Sequence, residues 1–217
     1  MRNRFDSQLE LLNKELIEMG ALCEELIDLS QSSLEKGTDF LETARAKEIE
    51  VDRMESDIEN LCMKLLLKQQ PVAKDLRSVS SALKMISDME RIGDQALDII
   101  EIADYVTDCD VESKKCIKSM AQSAGKMVSD SVEAFVRKDQ ELAKEVINSD
   151  DIVDELFDEM KRRLIQIITN EHHNGEVYID LIMIAKYYER IGDHATNIAE
   201  WVLYSLTGTK VSGGRDS

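Results

Sequence analysis

From Phe5 the apolar residues fall at Phe5, Leu9, Leu12, Leu16, Met19, Cys23 and Leu26, in steps that alternate four and three. That period holds one stripe of a helix against a neighbour. It predicts a first helix running to about Lys36, with Gly37 as its C-cap. Asp39 with Glu42 three residues on reads as a capping box for a second helix. That helix carries Leu41, Ala44, Ile49, Met54, Ile58, Leu61 and Leu65. It must end before Pro71, because proline disfavours helix in the residue before it, so Gln69-Gln70-Pro71 is a turn. A third helix begins between Val72 and Asp75 and carries Leu76, Val79, Leu83, Ile86, Met89, Ile92, Ala96, Ile99 and Ala103. It frays around Thr107 to Asp110.

The pattern then starts again. A fourth helix spans roughly Val111 to Arg137, with Ile117, Met120, Ala124, Met127, Val128, Val132 and Phe135 apolar. Asp139 is the expected N-cap of a fifth, which carries Leu142, Val146, Ile152, Leu156, Met160, Leu164, Ile167 and Ile168. After a polar loop, Thr169 to Gly175, a sixth runs from about Val177 to Leu206 and ends at Gly208. The expected fold class is all-α: two tandem pseudo-symmetric three-helix bundles, six long antiparallel helices in all. The first bundle is 1–108 and the second 109–208, and the Gly/Ser-rich tail 209–217 is expected to be disordered.

Composition agrees and narrows the function. Only nine Gly and one Pro in 217 residues, with 5% aromatics, argue against a sandwich or barrel. A formal net charge of −17 repels nucleic acid and anionic membranes and suits cations and basic protein surfaces. The four cysteines, Cys23, Cys62, Cys109 and Cys116, form no CxxC pair and read as reduced residues packed like small hydrophobes. The N-terminus lacks an apolar signal core, and no uncharged apolar run approaches the ~18 residues of a membrane span. A soluble cytoplasmic protein without direct membrane insertion is the expectation.

One stretch stands out. Glu90-Arg91-Ile92-Gly93-Asp94 returns as Glu189-Arg190-Ile191-Gly192-Asp193, 99 residues later. Carboxylates four apart lie on one helical face, one turn apart. The second and fifth helices carry matching pairs, Glu48 with Asp52 and Asp150 with Asp154, offset by 102. In an antiparallel hairpin, residues equidistant from the turn lie level. Asp52 with Glu90, and Glu48 with Asp94, both centre on Pro71. Asp154 with Glu189 centres within the Thr169 to Gly175 loop. Any single pair is weak evidence, since acids four apart are common on surface helices; Asp154 with Asp158 and Asp94 with Asp98 are further examples. Like charges so placed cost a few tenths of a kcal/mol each, so four per unit call for compensation, some of it available from Arg91 and Arg190. Gly93 and Gly192 each cost about 1 kcal/mol against alanine in a helix, which suggests that a backbone or bound group comes close there.

These acids read as two metal sites with oxygen ligands, suited to hard cations such as Mg²⁺ or Mn²⁺, and also to iron. The Glu-x-x-His pattern of di-iron bundles is missing: Gly93 and Gly192 stand three after the glutamates. His194 reads as a polar flank or a group behind the ligands, and His172 and His173 as loop residues. Tyr187, Tyr188, Trp201 and Tyr204 read as core or interface. No Gly-rich phosphate loop, nucleophile elbow or HExxH is present.

The chain resembles the PhoU family of phosphate-signalling proteins over nearly its whole length, to about Thr207. The resemblance lies in the duplicated unit, in Gln69-Gln70-Pro71-Val72-Ala73-Lys74-Asp75-Leu76-Arg77, in Met89 to Asp94, and in Glu189-Arg190-Ile191-Gly192-Asp193-His194-Ala195-Thr196-Asn197-Ile198-Ala199-Glu200. It implies a non-enzymatic cytoplasmic regulator of inorganic phosphate uptake, peripheral to the inner membrane through its partners. Those partners would be the ATPase subunit of the phosphate ABC transporter and a sensor histidine kinase, with the phosphate-starvation response damped when phosphate is plentiful. A homodimer is also expected. The resemblance implies divalent or ferric metal ions (iron, Mn, Mg or Zn, as multinuclear clusters) held by Glu48, Asp52, Glu90 and Asp94 in one unit and by Asp150, Asp154, Glu189 and Asp193 in the other. Asp98, Asn197, Arg91 and Arg190 would be additional or supporting residues. Asn197 stands where the first unit has Asp98, so if that turn contributes ligands the two sites differ in metal count or affinity. The alternative function is a carboxylate-bridged di-metal helical-bundle enzyme or a metal-storage protein.

Overall fold

The computed structural model describes residues 2–36, 38–68, 72–106, 109–170 and 175–209. The helices are α1 (Arg2–Lys36), α2 (Leu41–Lys68), α3 (Ala73–Ile102), α4 (Val111–Arg137), α5 (Gln140–Asn170) and α6 (Gly175–Thr207), with short 3-10 turns at Thr38–Phe40 and Ala103–Val106. No strand occurs among the described residues. Several expected features lie outside them: the Gly37 cap, the Gln69 to Pro71 turn, the junction at residue 108, His172 and His173, and the tail from Lys210.

The protein is all-α, two tandem three-helix bundles with a pseudo-twofold relation. α1 packs on α2 and α3 as α4 packs on α5 and α6, and the α2–α3 hairpin repeats as α5–α6. The halves meet through α1 against α4 and α3 against α6, and one apolar core runs continuously through all six helices. Glycine sets the α1–α4 approach. A Cβ on Gly20 would lie 3.1 Å from Val132 Cγ2, and one on Gly125 would lie 3.5 Å from Ile27 Cγ2. These contacts are images of each other, Gly125 standing 105 residues after Gly20 and Val132 standing 105 after Ile27. The offset thus falls from 105 to 102 to 99 along the three helices of a unit. Between α1 and α2 stand four residues, 37–40, against two, 138–139, between α4 and α5, and the longer connection includes the 3-10 turn Thr38–Phe40. The α2–α3 and α5–α6 helices are each four residues apart, so there the added residues lengthen α3 at its start rather than the turn. Asp39 consequently sits inside that turn, not ahead of a capping box as the spacing with Glu42 suggested.

The α1 seam is buried as expected, with Phe5, Leu12, Leu16, Met19, Cys23 and Leu26 in the core and Leu9 at its edge, so this seam serves packing within the chain. On α2 the buried stripe runs through Ala44, Val51, Met54, Ile58, Cys62 and Leu65. Ile49 lies two residues off it, about 200° round the helix, and is 64% exposed where Val51 is 1%. Ile152 is exposed in the same manner, and Val153 is the core residue. Leu76 and Ile168 also face outward.

Short polar contacts fix the ends and the join. Asp110 caps α4 by accepting from the backbone N–H groups of Glu112 and Ser113, and Arg163 of α5 pairs with the same carboxylate. Asp139 caps α5, accepting from Glu141 N at 3.0 Å and Leu142 N at 3.1 Å. Between the halves, the Ser30 hydroxyl donates to Ile27 O at 2.7 Å, so the buried Tyr188 hydroxyl donates to Ser30 Oγ at 2.8 Å. All four cysteines are free, and Cys23 and Cys62 are buried. Burial pushes both thiols up to about 12, with Glu24 and Glu59 respectively adding to it, which leaves them as packing residues.

Candidate functional site

The α2–α3 hairpin brings Glu48, Asp52, Glu90 and Asp94 together. Burial, then Asp52 and Asp94, pushes the Glu48 carboxyl above its ordinary value. Burial, then Asp94, does the same to Glu90; Glu55 and Asp52 add to it and Arg91 opposes it. The electrostatic neighbours across the hairpin are therefore Glu48 with Asp94 and Glu90 with Asp52, the residues at equal height from the turn. One turn on, Asp98 is raised by burial, then by Asp94 and Glu101, with Arg190 opposing. Arg91 sits outside this row at 58% exposure, 3.3 Å from Glu90 Oε2 and 3.2 Å from Asp94 Oδ2. The Ser87 hydroxyl donates to Glu55 at 3.0 Å.

The hairpins leave room for a methyl group at both repeated glycines. A Cβ on Gly93 would meet Val51 Cγ1 at 3.5 Å, between Glu48 and Asp52 on the facing helix. A Cβ on Gly192 would meet Val153 Cγ1 and Asp150 Oδ1, each at 3.5 Å. What comes close is thus a facing side chain, at an ordinary contact distance for a methyl group.

The second ladder differs. Glu189 is buried, and the Lys186 ammonium pairs with its Oε2 while lying 5.4 Å above the centre of the Phe157 ring. Asp150 touches the Gly192 position, and Asp150, Asp154 and Asp193 are half-buried. His194 is neither a flank nor directed at the acids: its Nδ1 lies 2.9 Å from Asp88 Oδ1 on α3, and Asn197 Nδ2 donates to the same oxygen at 3.2 Å. On the other side of the pseudo-twofold, burial and then Asp98 push the Tyr187 hydroxyl up. The Asp88–Asn197 contact and the Tyr187–Asp98 approach are images of one another, since Tyr187 follows Asp88, and Asn197 follows Asp98, by 99 residues.

Glu55, Ser87, Asp88, Phe157 and Lys186 escape a reading that follows only the acidic pairs. The 102 and 99 offsets would have found four of them, matching Glu55 to Phe157 and Ser87 to Lys186. Asp88 carries no sequence signal, because its partners lie on α6, more than a hundred residues away.

The donor set in the first unit suits a hard cation in kind: all four side chains are carboxylates, and burial with nearby like charge disfavours the charged forms of Glu48 and Glu90 unless a positive charge joins them. Among the described residues, no three His, Cys, Asp or Glu side chains converge on a common ion position. Glu90 and Asp94 would have to turn from Arg91 to hold one.

Fold and site together define a duplicated all-helical scaffold with carboxylate ladders on its hairpins. Both copies match the PhoU domain family, over residues 16–103 and 117–202. The chain belongs to the PhoU family, whose members are accessory and regulatory proteins rather than enzymes. It is 34% identical to the phosphate-specific transport system accessory protein PhoU homolog of Clostridium acetobutylicum over 213 residues, 97% of each chain. It is 35% identical to the homolog of Aquifex aeolicus over 185 residues, 84% of each. The crystal structure of PhoU from Pseudomonas aeruginosa superposes with a TM-score of 0.88 at 30% identity, covering 94% of this chain and 100% of that one. No described helix is long and apolar enough to cross a membrane.

Proposed function

We propose that this chain is an accessory regulator of inorganic phosphate uptake. In this reading it binds the ATPase subunit of a phosphate ABC transporter and a sensor histidine kinase from the cytoplasmic side, and damps the phosphate-starvation response. The observation that carries the reading is the likeness along 97% of the chain to an accessory protein of phosphate-specific transport. The strongly acidic surface, at a formal net charge of −17, supports basic protein partners. A hard cation belongs to the same reading. Glu48, Asp52, Glu90 and Asp94 would hold it, with Asp98 and Glu55 within reach, and it would neutralise the repelling carboxylates and fasten α2 to α3.

Two measurements test this. Tagged chain recovered from phosphate-replete cells should co-purify with a phosphate-transporter ATPase or a histidine kinase; recovery of neither, with the starvation response unchanged on deletion, rejects the regulatory role. Elemental analysis of protein purified without chelator should find divalent or ferric metal, most of it lost from the first unit in Glu90→Ala plus Asp94→Ala. Metal-free protein whose thermal stability ignores added Mn²⁺, Mg²⁺, Zn²⁺ and iron rejects the cation.

A further inference from the structure

The two ladders share a motif but not a charge environment. Around the first stand six carboxylates, Glu48, Asp52, Glu55, Glu90, Asp94 and Asp98, against the guanidinium of Arg91 and, at Asp98, that of Arg190. At the matching positions of the second stand four carboxylates, with Phe157 in place of Glu55, Asn197 in place of Asp98 and Lys186 in place of Ser87. We infer that the two halves divide the work: the α2–α3 ladder is the cation site, and the α5–α6 ladder is closed by the chain's own ammonium, Lys186, seated on Glu189 above Phe157.

This rests on the cation-binding reading above and goes beyond it. The Glu189 side chain is 10% exposed and that of Lys186 44%, so the pairing is desolvated at the carboxylate end and solvated at the ammonium end. The Phe157 face adds attraction for the same ammonium. A cation entering the second ladder must displace Lys186 from both, and it finds fewer carboxylates when it arrives. Arg91 is a weaker competitor in the first ladder. It approaches Glu90 and Asp94 from solvent, at 58% exposure. The second ladder thus departs from what the repeated motif implies: its donor set comes with a cation already built in.

Chelator-stripped full-length protein titrated with Mn²⁺, with free Mn²⁺ counted by its electron paramagnetic resonance signal, decides the matter. Uptake should disappear in Glu90→Gln/Asp94→Asn and persist unchanged in Glu189→Gln/Asp193→Asn. Lys186→Met should open a second set of sites, tightening Mn²⁺ there by about tenfold or more. That gain should vanish when Glu189→Gln/Asp193→Asn is added, and Lys186→Arg, which keeps the charge, should match the unaltered chain. Loss of Mn²⁺ from the Glu189→Gln/Asp193→Asn protein, or a folded Lys186→Met protein that takes up no more Mn²⁺ than the unaltered chain, overturns the inference while leaving the first site standing. No uptake by any variant overturns the cation reading itself and this inference with it.

Discussion

Gly20, Gly93, Gly125 and Gly192 all sit inside helices, where glycine is the poorest residue after proline. Only Gly20 is held by sterics. An alanine there would place Cβ 3.1 Å from one Val132 methyl and 3.3 Å from the other. Valine is stiff about χ1 and Val132 is buried, so it yields poorly. Overpacking of about 1–3 kcal/mol should outweigh the ~1 kcal/mol gained in helix propensity, and Gly20→Ala should lower stability by about 1 kcal/mol. Gly125→Ala meets Ile27 at 3.5 Å and should instead be neutral or stabilising by up to ~1 kcal/mol. Urea unfolding of the two variants compares them directly, and equal midpoints would refute the steric account. From sequence all four glycines look alike; only the distance to the neighbour separates them.

At the scale of the element, the α4–α5 connection shows how much a short turn can encode. Lys138 takes a left-handed conformation at φ 57°, and Asp139 then caps α5. A non-glycine residue in that conformation costs about 1 kcal/mol or more. Lys138→Gly should therefore raise stability by up to ~1 kcal/mol, and Asp139→Ala should lower it by about 1 kcal/mol. Thermal unfolding of both checks this: shifts of opposite sign are expected, and a silent Asp139→Ala would mean that α5 does not need its cap. Asp139 was legible because its two N–H partners, Glu141 and Leu142, lie only two and three residues on. Asp39 was not, because the longer connection of the first unit holds a 3-10 turn there. The stripe on α2 was misjudged at Ile49 because an isoleucine looks like core until the facing helix is known.

The molecule as a whole carries an imbalance of charge at its first ladder. Glu48 and Glu90 are raised above their ordinary 4.5, and Asp98 above 3.8, by burial first and like charges second. In the window between ordinary and raised values, the folded chain binds more protons than the unfolded one. The stabilisation from these groups is therefore complete at low pH and is lost as pH rises through that window. Asp110 runs the other way. Burial opposes its charge, but hydrogen bonds from Ser113 and Arg163 hold its carboxyl below the usual range. Its stabilisation is present above 3.8 and lost as pH falls through the lowered value. Subtracting the pH profile of Glu48→Gln/Glu90→Gln from that of the unaltered chain cancels Asp110. The cation-free difference should show stability falling as pH rises above 4.5, and a flat difference would deny the clustering.

Periodicity alone determined six helices, their seams and their duplication, because helical burial repeats along the chain and can be counted there. Counting from the turns also determined which acids lie level: Glu48 with Asp94 and Asp52 with Glu90 stand equidistant from Pro71, and an antiparallel pair sets their heights, while the helix rotations that turn them toward each other came from packing. The tertiary structure decided what surrounds those acids. Arg190 reaches Asp98, His194 and Asn197 reach Asp88, and Tyr188 reaches Ser30 only because the halves pack together, α6 on α3 and α4 on α1. The inequality of the two ladders was written in Phe157 and Lys186 all along, yet it had no meaning until packing set that ammonium on Glu189. Heights within a hairpin follow from local spacing; contacts between the halves depend on how two finished bundles bury one shared core.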